Sequence, residues 1–218
     1  MGRSAMAVFI ATTSLCAPAS AATLQALFSD QTTDQVLYAA DLNNDGDAND
    51  DGEVRVFFDG TNASGLVAPT DNVFQLTQSA AGDVYIGDGA TDTVYRLRDR
   101  NGNDNAQDAG EASVWFSSEN ANGFNLNTAN GVAVGSDGAL YVVEADTRGN
   151  PSGDVVYRTN DLNGDGDAND VGESSIWLDL GALDASSSPF EITFEGNAAF
   201  ITDTAGGSPR IYRAEDVD

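Results

Sequence analysis

Short apolar runs, closed off by Gly, Asn and Asp clusters, recur along the chain, and none of them keeps a helical period. In one unit the runs are GVAVGSDG from Gly131, ALYVVEAD from Ala139, DVVYRTND from Asp154 and SSIWLDL from Ser174. The preceding unit has NVFQLTQSAAG, DVYIGDG, DTVYRLRD and ASVWFSS. The following unit has PFEITFEGN, AAFITDT and RIYRAED, and the first contributes QVLYAADL and VRVFFDG. β-Branched and aromatic residues fill these runs with partial alternation, so each predicts a strand. Aromatics return in register: Tyr85, Tyr141 and Phe200; Tyr95, Tyr157 and Tyr212; Phe57, Trp115 and Trp177. One such residue at a fixed place in each unit predicts core positions rather than a ligand-stacking box.

The units are tied to a repeated polar string. It reads DLNNDGDANDDGE at residues 41–53, DRNGNDNAQDAGE at 99–111 and DLNGDGDANDVGE at 161–173, and Asp216 begins a fourth copy. The starts at 41, 99, 161 and 216 lie 58, 62 and 55 residues apart. A period of this size predicts an array of similar units that complete one another's cores. A four-stranded antiparallel meander in tandem is the blade of a β-propeller, so the fold class is all-β. Residues 23–218 supply two whole blades and parts of two more. The chain is therefore expected to be a fragment of a longer protein, cut at its C-terminus, and an open propeller would expose an edge for self-association. The repeat exceeds the usual ~40–45 residues, and the excess is the polar string between the third and fourth strands.

That string has calcium-loop chemistry. Oxygen ligands stand at loop positions 1, 3 and 5, as Asp41, Asn43 and Asp45 or Asp161, Asn163 and Asp165, with Gly46 or Gly166 next. Alternate residues in a tight turn aim their oxygens inward, and the glycine allows the sharp reversal. Asp47 and Asp167 take position 7, where a backbone carbonyl usually serves. The back half departs from an EF-hand: the last ligand is either Asp50 or Asp170 at position 10, or Glu53 or Glu173 after a one-residue insertion. The flanking runs are strands, not the helices of an EF-hand or dockerin, so a long calcium hairpin is predicted. The middle loop offers Asp99, Asn101 and Asn103, but carries Asp104 in place of the glycine and Arg100 inside the turn. On the bland reading these residues are simply good turn formers.

Charge sharpens this picture. The nine basic residues are all arginine, against 35 acidic residues, for a net charge of −26 with no histidine. The three loops hold 15 of those 35 acids, a density that calls for cations. Such a surface repels nucleic acid and anionic membranes. Absence of histidine excludes His-based triads and histidine zinc sites. Residues 1–22 read as a signal peptide: Arg3, the apolar AMAVFIATTSLCA, then Ala19-Ser20-Ala21. The stretch is too short to span a membrane. Cys16, the only cysteine, would leave with it, so the mature protein is expected to be secreted, periplasmic or at the cell surface, without thiol chemistry.

Residues 130–147, NGVAVGSDGALYVVEADT, resemble the blade motif of NHL-repeat and gluconolactonase/regucalcin-like propellers. The VYR…DLNGDGDAND…GE unit is similar to repeats of secreted bacterial propellers, some with a PEP-CTERM-type sorting tail. The resemblance implies a channel cation held by Glu, Asn and Asp side chains, and places the ligand asparagine on Asn130. Asn72 and Glu191 stand at the corresponding places of neighbouring units. Asp88, Glu144 and Asp203, each three residues past a second-strand aromatic, either face a common channel or cap strand-end turns. Two functions follow: a secreted calcium-binding scaffold for a protein, glycan or small-molecule ligand, or a metal-dependent gluconolactonase-like hydrolase.

Overall fold

The computed structural model describes residues 10–11, 25–67, 69–70, 73–145, 153–204 and 208–215. They form four antiparallel sheets in chain order. The first has β1 (Ile10–Ala11), β2 (Gln25–Asp30), β3 (Gln35–Ala40) and β4 (Val54–Asp59). The second is β5 (Val73–Gln78), β6 (Val84–Asp88), β7 (Thr93–Leu97) and β8 (Ala112–Ser117). The third is β9 (Ala129–Val134), β10 (Leu140–Glu144), β11 (Val155–Thr159) and β12 (Ser174–Asp179). The fourth has three strands, β13 (Pro189–Glu195), β14 (Ala198–Asp203) and β15 (Arg210–Glu215). Every sheet is a simple meander, as the repeat requires.

Two features depart from the sequence reading. β2 fills the second-strand place of the first sheet, equivalent to β6, β10 and β14, in a stretch that no predicted strand covers, and a one-turn helix, α1 (Leu180–Leu183), is capped by the Asp179 carboxylate. Of the segment expected as a signal peptide, only β1 is described, paired with β2. Asn72 and the start of the fourth polar string lie outside the described residues.

The core sits between sheets rather than within them. Along β6, Val84 and Ile86 pack toward the first sheet while Tyr85, between them, packs toward the third. A strand buried on both faces has little polar alternation to show: β6, β7 and β10 are buried at every position, with Asp88, Thr93, Arg96 and Glu144 the polar or charged residues among them. Phe58 and Phe116, at the same place in successive fourth strands, are both fully buried, worth about 1.5–3 kcal/mol each. The aromatic register holds: Tyr85 stands edge-on to Trp115 at 5.1 Å, and Tyr141 to Trp177 at 5.0 Å. The register between third and fourth strands also slips at one equivalent place in three sheets, at Val36/Leu37, Val94/Tyr95 and Val156/Tyr157. A bulge kept in each copy bends the fourth strand in the same sense.

Candidate functional site: the polar hairpins and the inner strands

The three polar strings share one conformation. In the third, Asp161 Oδ1 accepts the Gly164 N–H at 2.6 Å and Oδ2 accepts that of Gly166 at 3.0 Å. Asp41 does the same for Asn44 and Gly46, and Asp99 for Gly102 and Asp104. The sixth residue needs a positive φ, +102° at Gly46 and +106° at Gly166. Asp104 adopts +62° there, a conformation Asp tolerates at modest cost. The middle loop therefore keeps the fold despite losing the glycine.

The glutamate that ends each loop is buried, 3% exposed at Glu173, 1% at Glu53 and 4% at Glu111. Glu173 Oε1 accepts the N–H groups of Leu162 and Asn163 at 2.8 and 3.2 Å, and Oε2 that of Asp170 at 3.2 Å. Glu53 and Glu111 repeat this cap. Asp47 and Asp167 turn their carboxylates onto the Asn49 and Asn169 N–H groups. In the third loop the carboxylates left exposed are Asp165 and Asp170, at positions 5 and 10. Asn163 Nδ2 bridges them, donating to Asp165 at 3.1 Å and Asp170 at 2.6 Å, and Asn43 bridges Asp45 and Asp50 likewise. Oxygens of Asp165, Asp170 and Glu173 all lie within 4.8 Å of one another, the only such trio among the described residues. Desolvation, then the charges of Asp165, Glu173 and Asp167, hold the Asp170 carboxyl above its ordinary value. Of the two alternatives for the last ligand, the exposed Asp170 and Asp50 are better placed than the capped glutamates.

The middle loop differs where it matters. Asn103 replaces the position-5 carboxylate, and both Asn101 Nδ2 and Asn103 Nδ2 donate to Asp108 Oδ2, at 2.7 and 3.0 Å. One carboxylate with two amide donors carries no like-charge strain. Asp108 is aligned with Asp50 and Asp170 in the repeat.

The loops also join neighbouring sheets, which the sequence reading missed. Ala106 N–H donates to the Phe57 carbonyl at 2.7 Å, and Ala168 N–H to the Trp115 carbonyl at 2.8 Å. Arg55 reaches Asp104 at 3.0 Å, and Arg96 Nη1 reaches the Gly166 carbonyl at 3.0 Å. The signal was an alanine at position 8 of every loop, Ala48, Ala106 and Ala168.

The inner strands give a different answer. Asp88, Glu144 and Asp203 are buried. Asp88 accepts the N–H groups of Thr70, Ala90 and Thr91; Glu144 those of Asn127 and Thr128; Asp203 that of Ser188. These bonds tie each carboxylate to the segment that leads into its sheet. Asn130 is 4% exposed; its Nδ2 donates to the Pro189 carbonyl at 3.2 Å, and its Oδ1 is buried with no partner. Glu191 Oε1 is likewise buried and unpartnered, and burial raises its carboxyl. The two residues are neighbours, since a Cβ built on Gly131 would stand 3.0 Å from Glu191 Cα. Beside them Gln75 spans β5, β9 and β13, its Oε1 accepting the Val132 and Ile192 N–H groups at 3.1 Å each and its Nε2 donating to the Ile192 carbonyl at 2.6 Å. Phe74 and Phe190 pack with tilted rings, their centroids 4.7 Å apart.

Solved structures share this architecture. A gluconolactonase from Xanthomonas campestris superposes with a TM-score of 0.59 at 19% identity, over 89% of this chain and 55% of its own. A Bacteroides thetaiotaomicron protein of unknown function gives 0.57 at 16%, over 88% and 44%. A protein assigned to the gluconolactonases gives 0.54 at 14%, over 88% and 56%. No protein-family model and no curated protein matches the chain. At these identities the likeness defines the fold: the four sheets are blades of a β-propeller, in a chain that spans about half the length of the structures it matches. No helix among the described residues is long and apolar enough to cross a membrane.

Proposed function

We propose that this chain is an exported propeller scaffold whose blades are stapled by divalent cations, calcium by the chemistry of the donors, in the first and third hairpins. The observation that carries the reading is the approach of the exposed Asp165 and Asp170 carboxylates to one another beside Asn163, which bridges them. Hard oxygen donors in a loop of this spacing suit calcium. A cation between Asp165 and Asp170 replaces the Asn163 N–H bridge and relieves their repulsion, and Asp45, Asp50 and Asn43 do the same in the first loop. Because the third loop rests on the Trp115 carbonyl, ordering it fastens blade two to blade three. The leader pattern in residues 1–22 supports export to a calcium-rich compartment.

Titration calorimetry on chelator-treated protein is expected to count two sites with Kd of about 10⁻⁴–10⁻³ M. At roughly 100 times Kd each site adds about 2.7 kcal/mol, so Tm should rise by roughly 10–20 °C. Asn103→Asp restores the second carboxylate of the middle loop and is expected to raise the count to three. No heat of binding and no rise in Tm would leave the loops as acidic turns and end this reading.

A second reading rests on the orphaned Asn130 Oδ1 and Glu191 Oε1: a channel cation and a lactone hydrolase, in line with the resemblance of residues 130–147. Acid release from a sugar δ-lactone with added Ca2+, Mn2+ or Zn2+ tests it. Turnover that falls at least tenfold in Asn130→Ala, and not in Asp165→Asn, would establish it; no turnover with any of these metals would dismiss it.

A further inference from the structure

Three of the nine arginines stand at alternate positions in one short stretch, Arg96, Arg98 and Arg100, and line one wall of a cleft of about 470 Å³ between the second and third hairpins. The opposite wall carries Asp161, Asp165 and Asp167 of the third hairpin. The equivalent positions are Tyr38, Ala40 and Leu42 in the first blade and Arg158, Asn160 and Leu162 in the third, by the common register of β3, β7 and β11. The fold therefore needs no guanidinium at the second and third of these places. Arg96 is spent on structure: it holds the Gly166 carbonyl, lies 3.2 Å from Asp83 and stacks over Trp115 at 5.5 Å. Arg98 shares Asp83, through bonds of 2.6 and 2.9 Å. One carboxylate thus answers two guanidiniums, and Arg100 forms no ion pair among the described residues. In a chain of net charge −26 this wall is a local excess of positive charge.

We propose that this cleft binds a small anionic ligand, a carboxylate-bearing sugar of the uronate class, whose carboxylate sits between Arg100 and the cation of the third hairpin. The inference rests on the cation reading given above. Calcium takes six to eight oxygens, and the hairpin's two exposed carboxylates with Asn163 leave coordination positions open. Asp165 both belongs to the cation cluster and lines the cleft with the arginines, so a cation held there would be reached from the cleft through Asp165. Guanidinium and carboxylate pair through two parallel N–H···O bonds, while vicinal hydroxyls supply further neutral oxygens to the cation. Without the cation, the wall of Asp161, Asp165 and Asp167 repels an anion. Binding is thus conditional on metal, and a neutral sugar, lacking the arginine contact, is rejected.

Titration calorimetry in two stages tests this on the full chain. Calcium alone is titrated first, into wild type, Asp165→Asn and Arg100→Leu; leucine already occupies this place in the other two loops, so the last variant is expected to fold and to keep its calcium sites. D-glucuronate is then titrated into each calcium-saturated protein, with D-glucose and a chelator-treated sample as controls. Glucuronate is expected to bind calcium-loaded wild type at least tenfold more tightly than D-glucose, the chelated protein or Arg100→Leu. Equal binding after chelation, equal binding by Arg100→Leu, or no binding while calcium occupies the third hairpin would each overturn the proposal. Failure of the first stage would remove the cation reading itself, and the proposal with it.

Discussion

Replacing Glu173 by alanine is expected to destabilise the protein by about 3 kcal/mol while leaving calcium affinity within a few-fold of wild type. The direction follows from what the carboxylate holds. Its two oxygens accept three backbone N–H groups, from Leu162, Asn163 and Asp170, in a site where the side chain is 3% exposed. Truncation leaves those donors without a partner in a tight turn, and each unsatisfied buried group costs about 1–3 kcal/mol; water entering the turn recovers part of the sum. Urea unfolding of wild type and variant in chelator reads the loss with no cation present. A ligand role predicts the opposite pattern, little change in the apo protein and a tenfold or greater loss of calcium affinity. Asp170→Asn should show that second pattern, because the Asp170 carboxylate is exposed and its removal relieves repulsion in the apo loop.

The repeat made much of this legible from the residues. The period, the meander of each unit, the strand assignments of β5–β15 and the aromatic register all follow from signals present in several copies. The elements that escape lack the repeated signal or act at a distance. β2 holds the second-strand place of the first sheet, but Leu27 stands where the other units carry Tyr85, Tyr141 and Phe200. The glutamate ending each loop was placed correctly along the chain, yet its role depends on backbone N–H groups up to 11 residues away that fold back onto it. Asp88, Glu144 and Asp203 were found as a set, and only the three-dimensional path of the preceding segment separates a cap from a channel ligand. The alanine at loop position 8 shows the same lesson. Its conserved spacing within the chain was plain, but its reason is the carbonyl of the previous blade, at Phe57 or Trp115. A one-dimensional pattern records which positions matter in every unit and is silent about contacts between units.

Gln75→Leu is expected to lower stability by about 3–5 kcal/mol and to abolish the cooperativity between blades two and four. Nothing marks this glutamine in the sequence, because Gly131 and Glu191 take its place in β9 and β13 and a single polar residue in a strand reads as a solvated position. The structure puts it where three inner strands meet. Its amide takes up the Val132 N–H, the Ile192 N–H and the Ile192 carbonyl, joining β5 to β9 and to β13, 117 residues further on. Leucine keeps the volume and removes all three bonds, leaving two donors and an acceptor part-buried without this partner, at about 1–3 kcal/mol for each group that finds no water. The adjacent Phe74–Phe190 pair, with tilted rings whose centroids lie 4.7 Å apart, packs beside the same place. Contacts of such long separation form late and hold the arc of blades as one unit. A single unfolding transition in wild type is therefore expected to split into two in the variant, seen as non-coincident Trp fluorescence and far-ultraviolet circular dichroism curves. A coincident transition with less than about 1 kcal/mol of loss would show instead that the paired phenylalanines and the β9–β13 packing hold blade four by themselves.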